Sequence, residues 1–397
     1  MKKHLLATTA MVAAGIFASQ GALAEAGPIE LKVGGFHEQW VGFISQDSDT
    51  DVSGAPEQYA TDLDIQADTE IHFTGSTTLD NGLTFGVNVQ LESETSGDQI
   101  DESYLFMRGS FGELLLGSEN GAAYAMHYGA DNDMGYSLED GDTGYYWFTG
   151  GTSTTLHSSR MVTVDNDSNK IRWISPRFEG FQIGLGYAPE GRQDTDGRVP
   201  NEVANDGLGG AYEGIFSGAV NYRQDFDGVN VGLSASGIFV SDNNDIGLQA
   251  GDRAAGLSQD DVWGVALGLR VSSGGFTGTL GYNHQNGQQP LYTNTPAGYV
   301  APLTESIDVI AAGLSYEDGP MGVSLTGAYA WTEAANTGDP TRDRDIKQLV
   351  LQLGAKYVLG PGVEARGTAT YAQSEDALGQ GQDYTGFGVV GGLVLKF

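Results

Sequence analysis

The chemistry-bearing residues of this 397-residue chain are overwhelmingly carboxylates. Asp131, Asp133, Glu139, Asp140 and Asp142 fall within twelve positions, and no Lys or Arg stands between Glu119 and His157. Asp47, Asp49 and Asp51 form a second set at alternate positions. Uncompensated carboxylates at this density attract cations and offer hard oxygen ligands, for which calcium is the best-matched ion. The run Asp47-Ser-Asp-Thr-Asp51 opens with EF-hand spacing. Its sixth position is Val52 rather than Gly and its twelfth is Gln58 rather than Glu, so only a looser surface calcium site is expected there.

Other chemistries lack a matching pattern. Past residue 25 the histidines are His37, His72, His127, His157 and His284; none forms an H-E-x-x-H pair, and no G-x-S-x-G occurs. His72 and Ser76 come nearest to a base and nucleophile, yet four residues along a strand is about 13 Å. Catalysis and a required cofactor are therefore not expected. The absence of cysteine excludes a thiol enzyme, a Cys-zinc module and a disulfide scaffold. A net charge of −33 leaves no basic stripe for nucleic acid, while 40% hydrophobic content is too rich for a disordered acidic chain.

The elements that position these carboxylates begin after an export signal. Lys2 and Lys3 precede an apolar stretch from Leu5 to Phe17, and Ala22-Leu23-Ala24 reads as a cleavage site. Residues 1–24 are thus expected to be removed, leaving one domain over 25–397. Beyond it, residues alternate with period two. Phe276, Gly278, Leu280 and Tyr282 form one face of a strand and Thr277, Thr279, Asn283 and Gln285 the other. Met321, Val323, Leu325, Tyr329 and Trp331 oppose Ser324, Thr326 and Thr332; Val229, Leu233 and Phe239 oppose Asn230, Ser234 and Ser236. Phe387, Val389, Leu393, Leu395 and Phe397 share one face of the last strand. Strands of roughly 10–14 residues, tilted by ~45°, cross a ~25 Å apolar band.

Seven short turns punctuate the pattern: Asp80-Asn81-Gly82, Ser110-Phe111-Gly112, Phe178-Glu179-Gly180, Asp225–Gly228, Ser273-Gly274-Gly275, Asp318-Gly319-Pro320 and Gly360-Pro361-Gly362. They alternate with longer polar connections near 45–66, 96–99, 119–168, 190–212, 242–259, 288–304, 334–345 and 375–383. This predicts an all-β fold, a 16-stranded antiparallel transmembrane β-barrel with short periplasmic turns, longer outer loops and a wet lumen. The turn spacing also approaches a propeller repeat, but a blade would place four short strands where this sequence has two long ones. Aromatics at the strand ends, Trp40, Phe43, Tyr187, Phe239, Tyr282, Trp331, Tyr371 and Phe387 on one side and Phe111, Phe181, Tyr222, Phe276, Tyr357 and Phe397 on the other, predict two interfacial girdles.

Four segments resemble the general-diffusion porins of Gram-negative outer membranes. They are Asn169–Tyr187 with its N-K-I-R-W-I-S-P-R-F-E-G-F start, Thr69–Gly75 with Leu79–Gly86, Tyr104–Gly117, and the closing Val394–Phe397. The resemblance implies a homotrimer, a third loop folded into the lumen, and a terminal aromatic, Phe397, used in assembly. The third connection, about 119–168, is the longest, which agrees with a constriction carrying Asp131, Asp133, Glu139, Asp140 and Asp142. The family's facing wall is usually basic, and this chain departs from that. Alternation turns Asp68, Glu70, His72, Gln90, Glu92 and Glu94 inward; Arg223, Arg270 and Lys356 fall near short turns, which leaves Lys170, Arg172 and Arg366 for a facing basic patch. Arg108 shares the parity of Tyr104 and Phe106, read as lipid-facing, and is expected to snorkel to the interface.

The function expected is passive diffusion of small hydrophilic solutes with a preference for cations. The partners expected are lipid and lipopolysaccharide, including divalent bridges at Asp242, Asp245 and Asp252. Tyr124, Tyr128, Tyr136, Tyr145, Tyr146 and Trp147 keep a substrate-specific channel open as an alternative, and a surface adhesin would share the acidity and glycine. The small outward positions Gly278, Gly327, Gly367 and Gly391 would suit barrel–barrel packing, whereas the second loop, 96–99, is too short to latch onto a neighbour.

Overall fold

The computed structural model describes residues 29–50, 60–93, 100–130, 133–136, 138, 159, 165, 168–191, 212–242, 262–290, 303–334, 345–377 and 382–397. Its first eight strands are β1 (Glu30–Thr50), β2 (Ala60–Thr78), β3 (Thr84–Glu92), β4 (Ile100–Gly109), β5 (Gly112–Ser118), β6 (Asn169–Ile174), β7 (Phe181–Glu190) and β8 (Glu213–Phe226). The second eight are β9 (Val229–Asp242), β10 (Trp263–Ser273), β11 (Phe276–Pro290), β12 (Leu303–Asp318), β13 (Met321–Ala334), β14 (Lys347–Gly360), β15 (Val363–Ala377) and β16 (Gln382–Lys396). Each pairs antiparallel with the next, and β16 returns to β1 with Phe43 opposite Val389, so the sheet closes with no free edge.

Alternation decides which side faces out. Along β13, Met321, Val323, Leu325 and Tyr329 are exposed while Ser324, Thr326 and Thr332, at the alternate positions, are buried. The same division holds on β11, where Phe276 and Leu280 point out and Thr279, Asn283 and Gln285 point in. All seven short turns fall where the Gly and Asp signals put them, with Asp227 and Gly228 both at positive φ between β8 and β9. The C-terminal residue is tied into the seam: the Gly35 amide donates to the Phe397 carbonyl at 2.9 Å, and the Phe397 side chain is exposed.

Three expectations are corrected. The first concerns the first long connection, because β1 has 21 residues and β2 has 19. Twenty-one residues at about 3.3 Å run roughly 70 Å, well past a ~25 Å apolar band even when tilted. Asp47 and Asp49 therefore lie in β1, opposite Thr385 and Asp383, rather than in the first long connection. Asp51 lies outside the described residues.

The second concerns Trp40, which does not join a girdle. It faces inward, is only 1% exposed, and packs edge-on against Tyr136 with ring centroids 4.8 Å apart. The third concerns β4. Tyr104, opposite the inward Asn88, accepts a hydrogen bond from it at 3.3 Å, and Phe106 lies over Gly86 on the inner face. Arg108 follows the same parity. Its guanidinium sits 4.2 Å from the Phe106 centroid and 2.6 Å from Glu113, a cation–π contact and an ion pair in place of snorkelling. A register shift between Val89 and Leu91 separates this strand from the alternation upstream.

Candidate functional site

The inner wall is built for a chain to lie on it. After β5 the backbone makes one helical turn, Ala122–Ala125, and its described residues then follow the inner surface round the barrel. Backbone amides are received by inward hydroxyls: Ala122 donates to Ser217 on β8 at 3.2 Å and Tyr128 to Ser234 on β9 at 2.9 Å. Met134 donates to Ser324 on β13 at 2.9 Å and Tyr136 to Thr368 on β15 at 2.6 Å. Each bond satisfies an amide that leaves water on entering the wall.

Glycines supply the room. A Cβ at Gly184 would collide with Met126, at Gly268 with the Tyr128 carbonyl oxygen, and at Gly281 with Ser159. At Gly322 it would lie 2.7 Å from the Met134 sulfur, and at Gly354 2.8 Å from the Gly135 nitrogen. Strands β7, β10, β11, β13 and β14 thus each lack a side chain where the loop crosses them. Small apolar residues complete the seat: Ala130, Tyr136 and Leu138 pack with Trp40, Ala311, Ala328, Val350 and Ala372.

The root of this loop is an ion network. The Arg172 guanidinium donates to the Asn120 carbonyl at 2.7 Å and reaches Glu113 at 3.4 Å and Glu119 at 3.7 Å. Lys170 donates to the Glu119 carbonyl and, at 2.7 Å, to that of Ser168. Asp165 lies against Gly121, and burial pushes its carboxyl above the ordinary range, opposed by the nearby Lys170 charge and by a hydrogen bond with Ser217. The structure therefore brings Lys170 and Arg172 together, but at the loop's base and in contact with Glu113 and Glu119. Arg366 is bound by Glu364 at 2.6 Å, four residues from the Gly362 turn and opposite Lys356, which itself pairs with Glu317 at 2.8 Å. The expectation that these three bases form a patch facing the loop is corrected: short-range carboxylate and carbonyl partners hold each one elsewhere.

The wall that does face the loop is acidic. β3 stands eight strands from β11 in the ring, diametrically across from where Gly281 receives the loop. On β2 His72 bonds Glu70 at 2.7 Å, and Glu70 lies directly opposite Glu92 of β3. Gln90 donates to Glu102 of β4, which is 7% exposed. Two carboxylates directly opposite across strands repel each other, and the His72 ring at 2.7 Å gives Glu70 a hydrogen-bonding partner beside that pair. Of the constriction candidates, Asp133 is described: it is half-buried and accepts the Leu138 amide at 3.1 Å. Asp131, Glu139, Asp140, Asp142 and Glu94 lie outside the described residues. Among the described residues, no group of three or more His, Cys, Asp or Glu is arranged to hold a metal.

Glu102, Glu113, Glu119, Asp165 and the four hydroxyl acceptors were not singled out from sequence. For those on strands the one sequence signal is inward parity, shared with other polar residues of the wall, while Glu119 and Asp165 lie in the third connection, where no alternation applies.

Comparison with known proteins agrees with this architecture. The sequence matches the Gram-negative porin family over residues 7–377. No curated protein sequence matches it. Similar solved structures include the anion-selective porin from Comamonas acidovorans (16% identity, 93% of this chain and 100% of that one, TM-score 0.55). The outer membrane channel DcaP of Acinetobacter baumannii superposes at 12% identity over 96% of this chain and 100% of that one, with TM-score 0.57. OmpT, an outer membrane protein of Vibrio cholerae solved in a trimer form, does so at 14% identity over 92% and 99%, with TM-score 0.52. With a closed sixteen-stranded barrel, a polar inner wall and a family match along nearly its whole length, the chain belongs to the Gram-negative porin family and is a diffusion channel of the outer membrane.

Proposed function

We propose that this porin passes small hydrophilic solutes passively and prefers cations. The third connection as a whole, about 119–168, folds into the lumen and sets its narrowest point, with Asp131, Asp133, Glu139, Asp140 and Asp142 on the constricting side. One observation carries the reading: the described part of this connection is hydrogen-bonded to inward hydroxyls from β8 round to β15, while β2–β4 across from it present Glu70, Glu92 and Glu102. Carboxylates on both sides of a narrow aqueous path raise the local cation concentration and repel anions, and low-dielectric walls focus that field. The Comamonas relative is anion-selective by its description, but at 16% identity the likeness carries the fold alone.

The working form is a homotrimer in lipid and lipopolysaccharide, exported by residues 1–24 and assembled with Phe397 at its C-terminus. Calcium is a counter-ion for the constriction carboxylates rather than a cofactor of any reaction. Swelling of liposomes carrying the purified porin, in neutral sugars of graded size, tests the passive pathway. Entry should fall smoothly with sugar size; no sugar entry by folded barrels, or entry of one sugar irrespective of size, would refute it.

A further inference from the structure

Among the described residues, two arginines stand side by side on the inner wall. Arg223 on β8 and Arg270 on β10 both lie opposite Gly232 of β9, so the two arginines sit on one rung with a glycine between them. Two strand spacings set their backbones about 10 Å apart, within reach of a shared ligand for two arginine side chains. The Tyr128 ring lies 3.2 Å from where a Gly232 Cβ would be, filling the place a side chain would take. Together these groups line a cavity of about 410 Å³ with Tyr124, His127, Asn230 and Ser272.

The recess is held in place by the loop seat. Asn221 donates to the Met126 carbonyl at 3.3 Å, Tyr128 donates to Ser234 at 2.9 Å, and Ser234 lies 3.5 Å from the His127 ring. Asp225, two residues from Arg223 on the same face, accepts the Gly228 amide of the hairpin at 3.1 Å. The two arginines stand within five residues of the Asp225–Gly228 and Ser273–Gly275 turns, so the recess lies near the short-turn mouth.

We infer that this recess binds a small organic carboxylate with a ring-sized body. Two guanidinium groups on one rung suit bidentate capture of a carboxylate. Asn230 and Ser272 add neutral hydrogen bonds, and the Tyr124 and Tyr128 rings supply flat apolar contact. The volume has room for a small organic molecule, and the two tyrosine rings give a flat body something to lie against. The inference rests on the porin reading only for its orientation, the short turns being periplasmic; neither cation preference nor conduction is needed for binding.

Isothermal titration of the detergent-purified porin with benzoate tests this, with benzyl alcohol and inorganic phosphate as comparison probes. Benzoate is expected to bind saturably, and to weaken roughly tenfold or more on each of Arg223→Gln and Arg270→Gln. Lys347→Gln at the far end of the barrel should leave it unchanged. Arg223→Lys and Arg270→Lys, checked for heat-modifiable barrel mobility, replace any glutamine variant that fails to fold, and should bind more weakly than wild type. No saturable benzoate binding, binding indifferent to both arginines, or equal binding of benzyl alcohol would overturn the inference. Phosphate binding as tightly as benzoate would overturn the ring-sized class. Loss of benzoate binding with sugar entry intact separates this site from the channel itself.

Discussion

Replacing Ser324 with Ala and Thr368 with Val removes the two hydroxyls that receive the Met134 and Tyr136 amides, at 2.9 and 2.6 Å, without adding an atom to the wall. Each amide is then buried without its acceptor, at a cost of about 1–3 kcal/mol, so the double variant loses roughly 2–6 kcal/mol of loop seating. The Trp40–Tyr136 contact is common to wild type and variant and leaves this difference unchanged. At the middle of that range the unseated population rises by more than a hundredfold. Ser217 and Ser234 still hold Ala122 and Tyr128, so release starts beyond them, around Met134–Tyr136. Removing a layer of chain from the inner face widens the narrowest passage by up to the ~10 Å that separates layers packed face to face. Single-channel recording should show higher and noisier conductance, and liposome swelling should admit larger sugars. Folded barrels with unchanged conductance and an unchanged size limit would refute the idea that the seated loop sets the bore.

Other consequences are independent of that pair. Gly268→Ala places a carbon against the Tyr128 carbonyl, so the barrel should assemble with the loop displaced, read as a raised sugar size limit in heat-modifiable barrels. Trp40→Ala should destabilise the barrel by about 3–5 kcal/mol in urea unfolding from lipid, because it empties a fully buried apolar contact between wall and loop. Asp165 is raised in the folded chain, so the native state holds a proton that the unfolded state gives up. Its contribution is therefore greatest in acid and is lost as pH rises from the ordinary carboxylate range through the raised value; unfolding midpoints should fall across that window in wild type and stay flatter in Asp165→Asn.

The barrel was legible because its signals are local. Alternation fixes inside and outside one strand at a time, and turns such as Asp227-Gly228 require positive φ that few residues supply. Trp40, Tyr104 and Phe106 escaped this logic, since aromatic residues point to lipid only where nothing apolar waits inside. Tyr136 and Leu138 of the loop give Trp40 that neighbour. Lys170 and Arg172 were correctly turned inward, yet their partners Glu113 and Glu119 lie more than fifty residues away in sequence, as does the loop root they close. The glycine seat was hidden for a different reason. With 60 glycines in the chain, those making room for the loop look the same as those in turns until the loop's path is known.

Charge preference is measured most directly by the zero-current potential of the reconstituted porin under a tenfold KCl gradient. Each carboxylate about 10 Å from the axis contributes about 0.4 kcal/mol to a monovalent ion in water, and roughly 0.15 after screening at 0.1 M salt. With cation and anion moved oppositely, Glu70, Glu92 and Glu102 together favour potassium over chloride by about four- to fivefold, and the constriction carboxylates add to that. The potential should carry the cation-selective sign, steepen as salt is lowered, and shrink in the Glu70→Gln/Glu92→Gln/Glu102→Gln variant. An anion-selective potential, or one indifferent to those three residues, would contradict the account.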